Sequence, residues 1–572
     1  MYLSASFICA TALFCLALLV PVRPGQAKGG AVLFTRADIT RMKANRITDI
    51  LNQAPGISAG DASVSIHGST KVKVLMDGRP INDPTSSYGA INWSVVNLES
   101  VERIEIFPGR GGIRYGQDAG GGIILIETSR GNTFSGQVKT YGGSEDTASA
   151  ELLAQTRAGL WGAELSVLSK NTEGYVANGD AEKRRGGIGV SYGRDDRHQI
   201  TLHADYLHED KGLFGLPEYP TPHSRKKSET NLLAVRILHG DATLSTFFTA
   251  GEERHRDVSR RLAQDLEVDE FGNDAGYSLQ TGSWGELTTG ISYRLNRGSG
   301  SDFAKQREES GALFFSQSLR SDASPWSLIA GARANRYSAF GSGINPELKI
   351  EYLTSLWSLS AGYNRADNIP SLKQRYAHTS STLPNPDAGR EIADNRLVAM
   401  TFTPWATLSL RASVFDNQIK DRITYLTNSE GMGQYINLGT VSYRGGDCGI
   451  TWQPAKVLTV RATYTYLDAG DDDSGFKVPG KADHVVRGEL SWQTTDDLLL
   501  VFSGKYSSKV YRNRDNSSEV AGYTTFDLRT EYDLGTFAVF AEINNLANTT
   551  WYYADGLLGP PRTWLAGLRY RW

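Results

Sequence analysis

Residues 98–128 read LESVERIEIFPGRGGIRYGQDAGGGIILIET. The stretch opens as an extended run in which Val101, Arg103 and Glu105 fall on one face and Glu102, Ile104 and Ile106 on the other. A glycine-rich loop follows, with Gly109, Gly111, Gly112 and Gly116 leading to the triplet Gly120-Gly121-Gly122, and residues 123–126 form a second short strand. Two strands around so much glycine predict a backbone that turns sharply and packs closely. A phosphate-cradling loop would end in Gly-Lys-Ser/Thr and run into a helix. Neither feature is present, which argues against nucleotide binding.

Upstream, Ile47, Ile50, Leu51 and Ala54 have helical spacing, and Pro55-Gly56 stops the helix. Residues 64–68 alternate as a strand. Residues 71–76 form another, closed by the tight turn Asp77-Gly78-Arg79-Pro80. A polar and aromatic loop, with Ser86, Ser87 and Tyr88, leads to Ile91-Asn92-Trp93.

In this order the motifs resemble the plug domain of TonB-dependent outer-membrane receptors. The family's E-R-I-E-V is met by residues 102–106, its Y-G by Tyr115-Gly116, and its A-x-G-G-V-I by residues 119–124. Its D-I-L, P-G-I, D-G-x-P and I-N-W elements also stand in sequence before them. Two departures are Pro108-Gly109-Arg110, where R-G-P is usual, and Leu125 in place of an asparagine. The resemblance implies a short docking strand for an energy-transducing partner near the mature amino terminus. Ala31, Val32, Leu33, Phe34 and Thr35 are the candidates, and they serve equally well as the first plug strand. It also makes Glu102, Arg103 and Glu105 candidates for ion pairs between the plug and a surrounding lumen.

The chain has 572 residues, 60 of them glycine, with 10% aromatics and a mean hydropathy of −0.35. After the first thirty residues no apolar run is long enough for a membrane helix. Such a composition suits a membrane β-barrel, in which every second residue faces lipid, and it also suits a large soluble all-β protein. A net charge of −3 gives no reason to expect nucleic acid. Residues 1–27 read as a secretory signal peptide: an apolar core at 7–20 and the small-residue site Gly25-Gln26-Ala27, with no Lys or Arg ahead of the core. Past it Cys448 stands alone, read as a packed strand thiol, so no internal disulfide is expected.

From residue 134 to 572 the pattern is strand alternation. Trp564, Ala566, Leu568, Tyr570 and Trp572 oppose Leu565, Gly567, Arg569 and Arg571, and residues 526–532 and 200–206 split the same way. About 22 such strands are expected, joined by links that alternate short and long as transmembrane hairpins require. Long links are expected at 208–228, 254–275, 365–394, 427–435, 468–483 and 509–520. The fold class expected is therefore an all-β membrane protein: a signal peptide (1–27), an α+β plug (28–131) and a closed antiparallel barrel (134–572). A barrel of that size needs a plug. The aromatic carboxyl terminus, with Trp564, Leu568, Tyr570 and Trp572, is expected to serve as the signal read by the barrel-assembly machinery.

No catalytic constellation or zinc spacing is present, so neither an enzyme nor a resident cofactor or metal is expected. A barrel protease or lipase would need Ser/His or carboxylates at the rim of a smaller barrel. Asp468 with residues 471–473 suits a solvated acidic loop better than calcium. Ligand contacts are expected on the plug loops at Ser86, Ser87, Tyr88 and Tyr115, and on external loops at Tyr219, Tyr376, His378 and Tyr435. Any one of these aromatics suits loop packing as well. Arg365-Ala366, His378 and Asn385-Pro386 form an imperfect echo of the family's haem-receptor pattern. The resemblance implies active uptake of a scarce solute, such as an iron-siderophore or cobalamin, by a monomer in the outer membrane of a Gram-negative bacterium, powered through the TonB complex. A haem receptor, a passive or signalling receptor, and a soluble secreted all-β protein are the alternatives.

Overall fold

The computed structural model describes residues 30–129, 134–195, 197–320, 324–379, 381–428 and 431–572. The expected signal peptide lies outside the described residues. Twenty-two antiparallel strands close into one barrel, in which Thr563–Arg571 pairs with Ser135–Gly143 through registers such as Leu568↔Thr140. The barrel is polar inside and apolar outside. Trp564 and Leu568 are 57% and 55% exposed on the outer surface, while Arg569 and Glu531 are 3% and 4% exposed, joined at 2.8 Å within. That polarity suits a lipid exterior and a wet lumen, and it inverts the soluble sandwich. Cys448 follows the same alternation: its neighbour Asp447 points inward and the thiol is exposed on the outer face, so the expectation of a packed thiol is corrected.

Most links fall where the alternation places them. At 254–275 the expectation fails, because strands Ala242–Asp257 and Leu262–Gln280 run on and leave only 258–261 as the turn. Glu252, Arg254 and Arg256 face outward there. Charged residues on the outer face read as loop in a sequence, yet the hydrogen-bonded ladder continues.

The plug fills the lumen. It comprises β1 (Val32–Thr35), α1 (Arg36–Met42), α2 (Ile47–Leu51), β2 (Ile57–Gly60), β3 (Ser63–Ile66), β4 (Val72–Met76), β5 (Arg79–Pro80), β6 (Val101–Pro108), α3 (Gly112–Tyr115) and β7 (Gly122–Thr128). Five strands form one sheet in the order β1-β6-β7-β4-β5, with β4 and β7 parallel. Thr35 and Asp38 make a reciprocal capping box that starts α1. The main apolar cluster lies in the plug: Ile50, Leu51 and Ala54 of the predicted helical face pack with Ile57, Ile66, Val74, Ile104, Ile106, Ile124 and Ile126.

Within β6 the strict alternation breaks. A bulge at Glu102 turns Val101 to the same buried side as Ile104 and Ile106. Arg103 pairs with Glu105 at 3.2 Å and with Glu127 at 2.8 Å, both in the plug, and Glu102 is exposed. The expected plug–barrel pairs of Glu102, Arg103 and Glu105 are thus corrected to contacts within the plug. Close packing of the glycine triplet holds. A Cβ on Gly120 would lie 2.6 Å from Asn368 Nδ2, and one on Gly122 (φ +132°) 2.4 Å from the Phe107 carbonyl.

Candidate functional site

Lys71, just ahead of strand β4, and Lys73 within it lie on the side opposite the buried Val72 and Val74. Both ammonium groups line a cavity between the upper plug and the barrel wall, with about 1120 Å³ of empty space, part of it open solvent. Ser86, Ser87 and Asp118 complete the plug side. The wall gives Glu270, Arg294 and Glu308, and loop 369–390 gives Lys373. The loop is anchored from both ends of the cavity. Glu253 accepts from Lys226 at 2.5 Å, Lys373 at 3.4 Å and Thr85 at 3.3 Å, which ties wall, loop and plug together. Arg375 of the short helix α4 (Leu372–Tyr376) pairs with Glu308 and lies over the rings of Phe340 and Tyr376.

The cavity is electrostatically tense. Burial holds the Lys73 ammonium down to about 8, and the Arg294 guanidinium pushes the same way; its Nζ donates to the Tyr115 carbonyl at 2.9 Å. Burial pushes the Asp118 carboxyl up, against the pull of Lys71, while its Oδ1 accepts the Ile369 N–H at 3.0 Å. Opposed charges in a half-dry hollow favour an incoming ligand that brings its own charge.

The structure brings together some of the expected contacts. Ser86 and Ser87 line the cavity. Tyr88 reaches up from the plug, and its hydroxyl lies 2.9 Å from that of Tyr435 on the loop hairpin Ile423–Thr427/Gly433–Asn437. Burial and the Tyr88 contact both push the Tyr435 phenol up. Tyr115 does not line the cavity; its carbonyl accepts from Lys73 Nζ, and burial pushes its phenol up. Tyr376 packs against Phe303, with ring centroids 6.4 Å apart. His378 is exposed beside it, held through its backbone N–H to the Asp302 carbonyl. Tyr219 stands apart at the tip of an outer hairpin, 72% exposed.

Lys71, Lys73, Asp118, Glu270 and Arg294 escape the sequence reading. The signal that could have found the lysines is the alternation Lys-Val-Lys-Val in a strand otherwise buried. Asp468 and Asp471 are engaged by Lys477 and Arg514, at 3.0 and 2.9 Å, as a solvated acidic loop would be.

On the opposite side the plug is bolted to the wall. His67 is 2% exposed and stacks on Phe415 at 3.9 Å, with Nε2 2.9 Å from Asp447 Oδ2. Arg487 donates to the Ile57 carbonyl at 2.9 Å, Arg529 to the Met42 carbonyl at 3.2 Å, and Asn45 to Glu542 at 2.7 Å. The candidate docking residues Ala31 to Thr35 begin the plug: Val32–Thr35 pairs with Ile106 to Arg103 as an edge strand, and Arg411 holds the carbonyls of Gly30 and Ala31 at 2.5 and 2.8 Å.

Residues 27–123 match the family described as TonB-dependent Receptor Plug Domain, and residues 131–546 match TonB dependent receptor-like, beta-barrel. Among curated proteins the chain is 21% identical to the vitamin B12 transporter BtuB of Photobacterium profundum, covering 94% of this chain and 91% of that protein. It is also 21% identical to the iron-regulated outer membrane virulence protein of Vibrio cholerae, with the same coverage. Among solved structures, the siderophore receptor PirA of Acinetobacter baumannii superposes with a TM-score of 0.78 at 15% identity, over 95% of this chain and 98% of that one.

Proposed function

Because the chain belongs to the TonB-dependent receptor family, with both the plug and the barrel matched, we propose that it captures a scarce metal chelate outside the outer membrane of a Gram-negative bacterium and takes it up actively. The observation that carries this reading is the charged cavity on the upper plug, enclosed between Lys71, Lys73, Ser86, Ser87 and Asp118 of the plug and Glu270, Arg294, Glu308 and residues 369–374 of the barrel. Lys71, Lys73, Arg294 and Lys373 favour anionic donor groups such as catecholates or carboxylates. The named functions of the relatives, B12 transport and siderophore reception, belong to the same chemical class.

Energised transport requires a partner that grips the plug. Strand β1 supports this, because it is the outer strand of the plug sheet and so leaves one edge open to strand addition. The test uses cells expressing the full chain and radiolabelled ferric siderophores, cyanocobalamin and haem, with and without a protonophore. Binding in both conditions and uptake only with the proton gradient is the expected result. Uptake indifferent to the gradient makes the protein a passive receptor, and failure of every chelate to bind removes the reading.

A further inference from the structure

The space around the plug is not spread evenly. Below the loop rim lies a hollow lined by Glu253, Asp302, Phe303 and Lys373; it shares Lys373 and Leu266 with the large cavity. The large cavity in turn shares Pro80 and Asn82 with a third hollow, against Asp205 and Leu207 of the wall. A fourth, with about 640 Å³ of empty space, opens nearer the short turns, lined by Asp77, Glu164, His203 and Arg236. The wall residues descend in order along Leu262–Gln280, Ala242–Asp257, Ser224–His239 and His198–Gly212. The third and fourth hollows have no lining residue in common. Arg79 stands between them, 3% exposed, with Nη2 3.0 Å from Asp205 Oδ2 and Nη1 3.5 Å from Asp77 Oδ2.

Among the described residues, fewer side-chain bonds join plug and wall here than at the opposite seam. Strand β5 is two residues at the edge of the sheet, paired with β4 through Leu75↔Pro80 and Met76↔Arg79; past it the Ile81 N–H donates to the Val74 carbonyl at 3.1 Å, and Asn82 accepts from the Val74 N–H and donates to the Val72 carbonyl, each at 3.0 Å. Pro80 has no N–H to add to the ladder. The hairpin tip at Gly78 faces Ser245 and Arg236 of the wall. Parallel pairing of β4 with β7, together with the bonds of Asp77 to the Ile126 carbonyl and to the N–H and hydroxyl of Thr128, each at 2.9 Å, holds β4 and the start of the turn, so a swing is confined to residues 78–80. The opposite seam, by contrast, carries the stacked and paired His67 together with the Arg487, Arg529 and Asn45 contacts. Flanking contacts on the near seam are Thr85 to Glu253 at 3.3 Å and Arg185 to the Ser94 carbonyl at 3.2 Å.

We propose that this seam is the transit route from the upper cavity to the periplasmic side, and that the β4–β5 hairpin is its gate, latched by Arg79 between Asp77 and Asp205. The route rests on the transport reading, but the gate can be tested without any ligand. Purified full-length protein is placed in planar bilayers in potassium chloride, and ion leak is recorded. Arg79→Ala and the shape-preserving Asp205→Asn should each raise the leak tenfold or more over the unsubstituted protein. Arg529→Ala on the opposite seam should leave it unchanged. Heat-modifiable gel mobility confirms that each barrel is folded.

A disulfide staple closes the test. A Cβ at Gly78 would lie 3.2 Å from Ser245 Oγ, within reach of a bridge between cysteines at the two positions; because Gly78 has φ +84°, where a cysteine is strained, the reduced form must leak as Arg79→Ala alone does. Adding Gly78→Cys and Ser245→Cys to Arg79→Ala should shut the leak on oxidation and restore it on reduction. An unchanged leak in both latch variants, an equal leak from Arg529→Ala, or a leak indifferent to the staple each overturns the gate. None of these results depends on which chelate is carried, so failure of the gate and failure of the uptake reading remain distinct.

Discussion

Replacing His67 with alanine removes the best-buried link between plug and barrel. His67 has φ +48°, a left-handed backbone that alanine would share, so the substitution isolates the side chain. Two contributions disappear. The ring no longer stacks on Phe415 (3.9 Å, 7° between planes), a contact worth about 0.5–1.5 kcal/mol. Asp447 keeps only the Ser413 hydroxyl at 2.7 Å as a donor, and an under-satisfied buried carboxylate costs about 1–3 kcal/mol. Together these come to about 3 kcal/mol, roughly a hundredfold in an opening equilibrium. Barrel strands do not depend on this contact, so the loss should fall on plug docking. The assay is hydrogen exchange by mass spectrometry on peptides covering β2 and β3, where the His67 N–H is bonded to the Gly56 carbonyl at 2.8 Å. Protection there should drop by about two orders of magnitude, while gel mobility of the barrel is unchanged. Protection within threefold of the unsubstituted protein would refute the reasoning, because the pair would then contribute nothing beyond what lumen water supplies.

Lys73 should make the affinity for an anionic chelate fall as pH rises through about 8, where the folded protein gives up that proton. Lys73→Gln should flatten the profile and weaken binding about tenfold at pH 7, as titration calorimetry would read. The same shift has a sign for stability: between about 8 and the ordinary 10.5 the unfolded chain holds more protons, so stability rises with pH across that window. Arg411→Ala frees the Gly30 and Ala31 carbonyls and should speed exchange of Val32–Thr35 about thirtyfold, for roughly 2 kcal/mol lost. Tyr88→Phe deletes the phenol contact to Tyr435 and should loosen the hairpin Gly433–Asn437 by under about 1 kcal/mol, seen as slightly faster exchange there and nowhere in the plug core. Trp572 trades two backbone hydrogen bonds with Gly136, at 3.1 and 3.2 Å, where the barrel closes. Trp572→Ala should cost about 2 kcal/mol and lower the heat-modifiable fraction on gels.

Much of the architecture is legible in the sequence because two periods carry it. Alternation along the barrel and helical spacing at 47–54 each follow from which solvent a side chain meets. The glycine triplet could be read because a missing side chain has one dominant use in a packed interior. Where the reading fails, a third influence intervenes. The bulge at Glu102 is a backbone event with no residue type of its own, so strict alternation puts Val101 on the wrong face. At 254–275 the ladder outlasts the apolar face that reveals it. The cavity was half legible: Ser86 and Ser87 stand in a loop that looks like a site, whereas Lys71, Arg294 and Glu308 are scattered over the chain and meet only through the fold. His67 and Asp447 lie 380 positions apart, and no local pattern joins them.

The apolar core of the plug is its own, and what it shares with the wall is mostly hydrogen bonds and ion pairs at scattered points, with the His67–Phe415 stack as a non-polar exception. Such a boundary is cheap to renegotiate. Loop and lumen residues can therefore be substituted without repacking the plug isoleucines. The chain is built as two parts with separate interiors, so substitutions on one side of the boundary leave the packing of the other as it was.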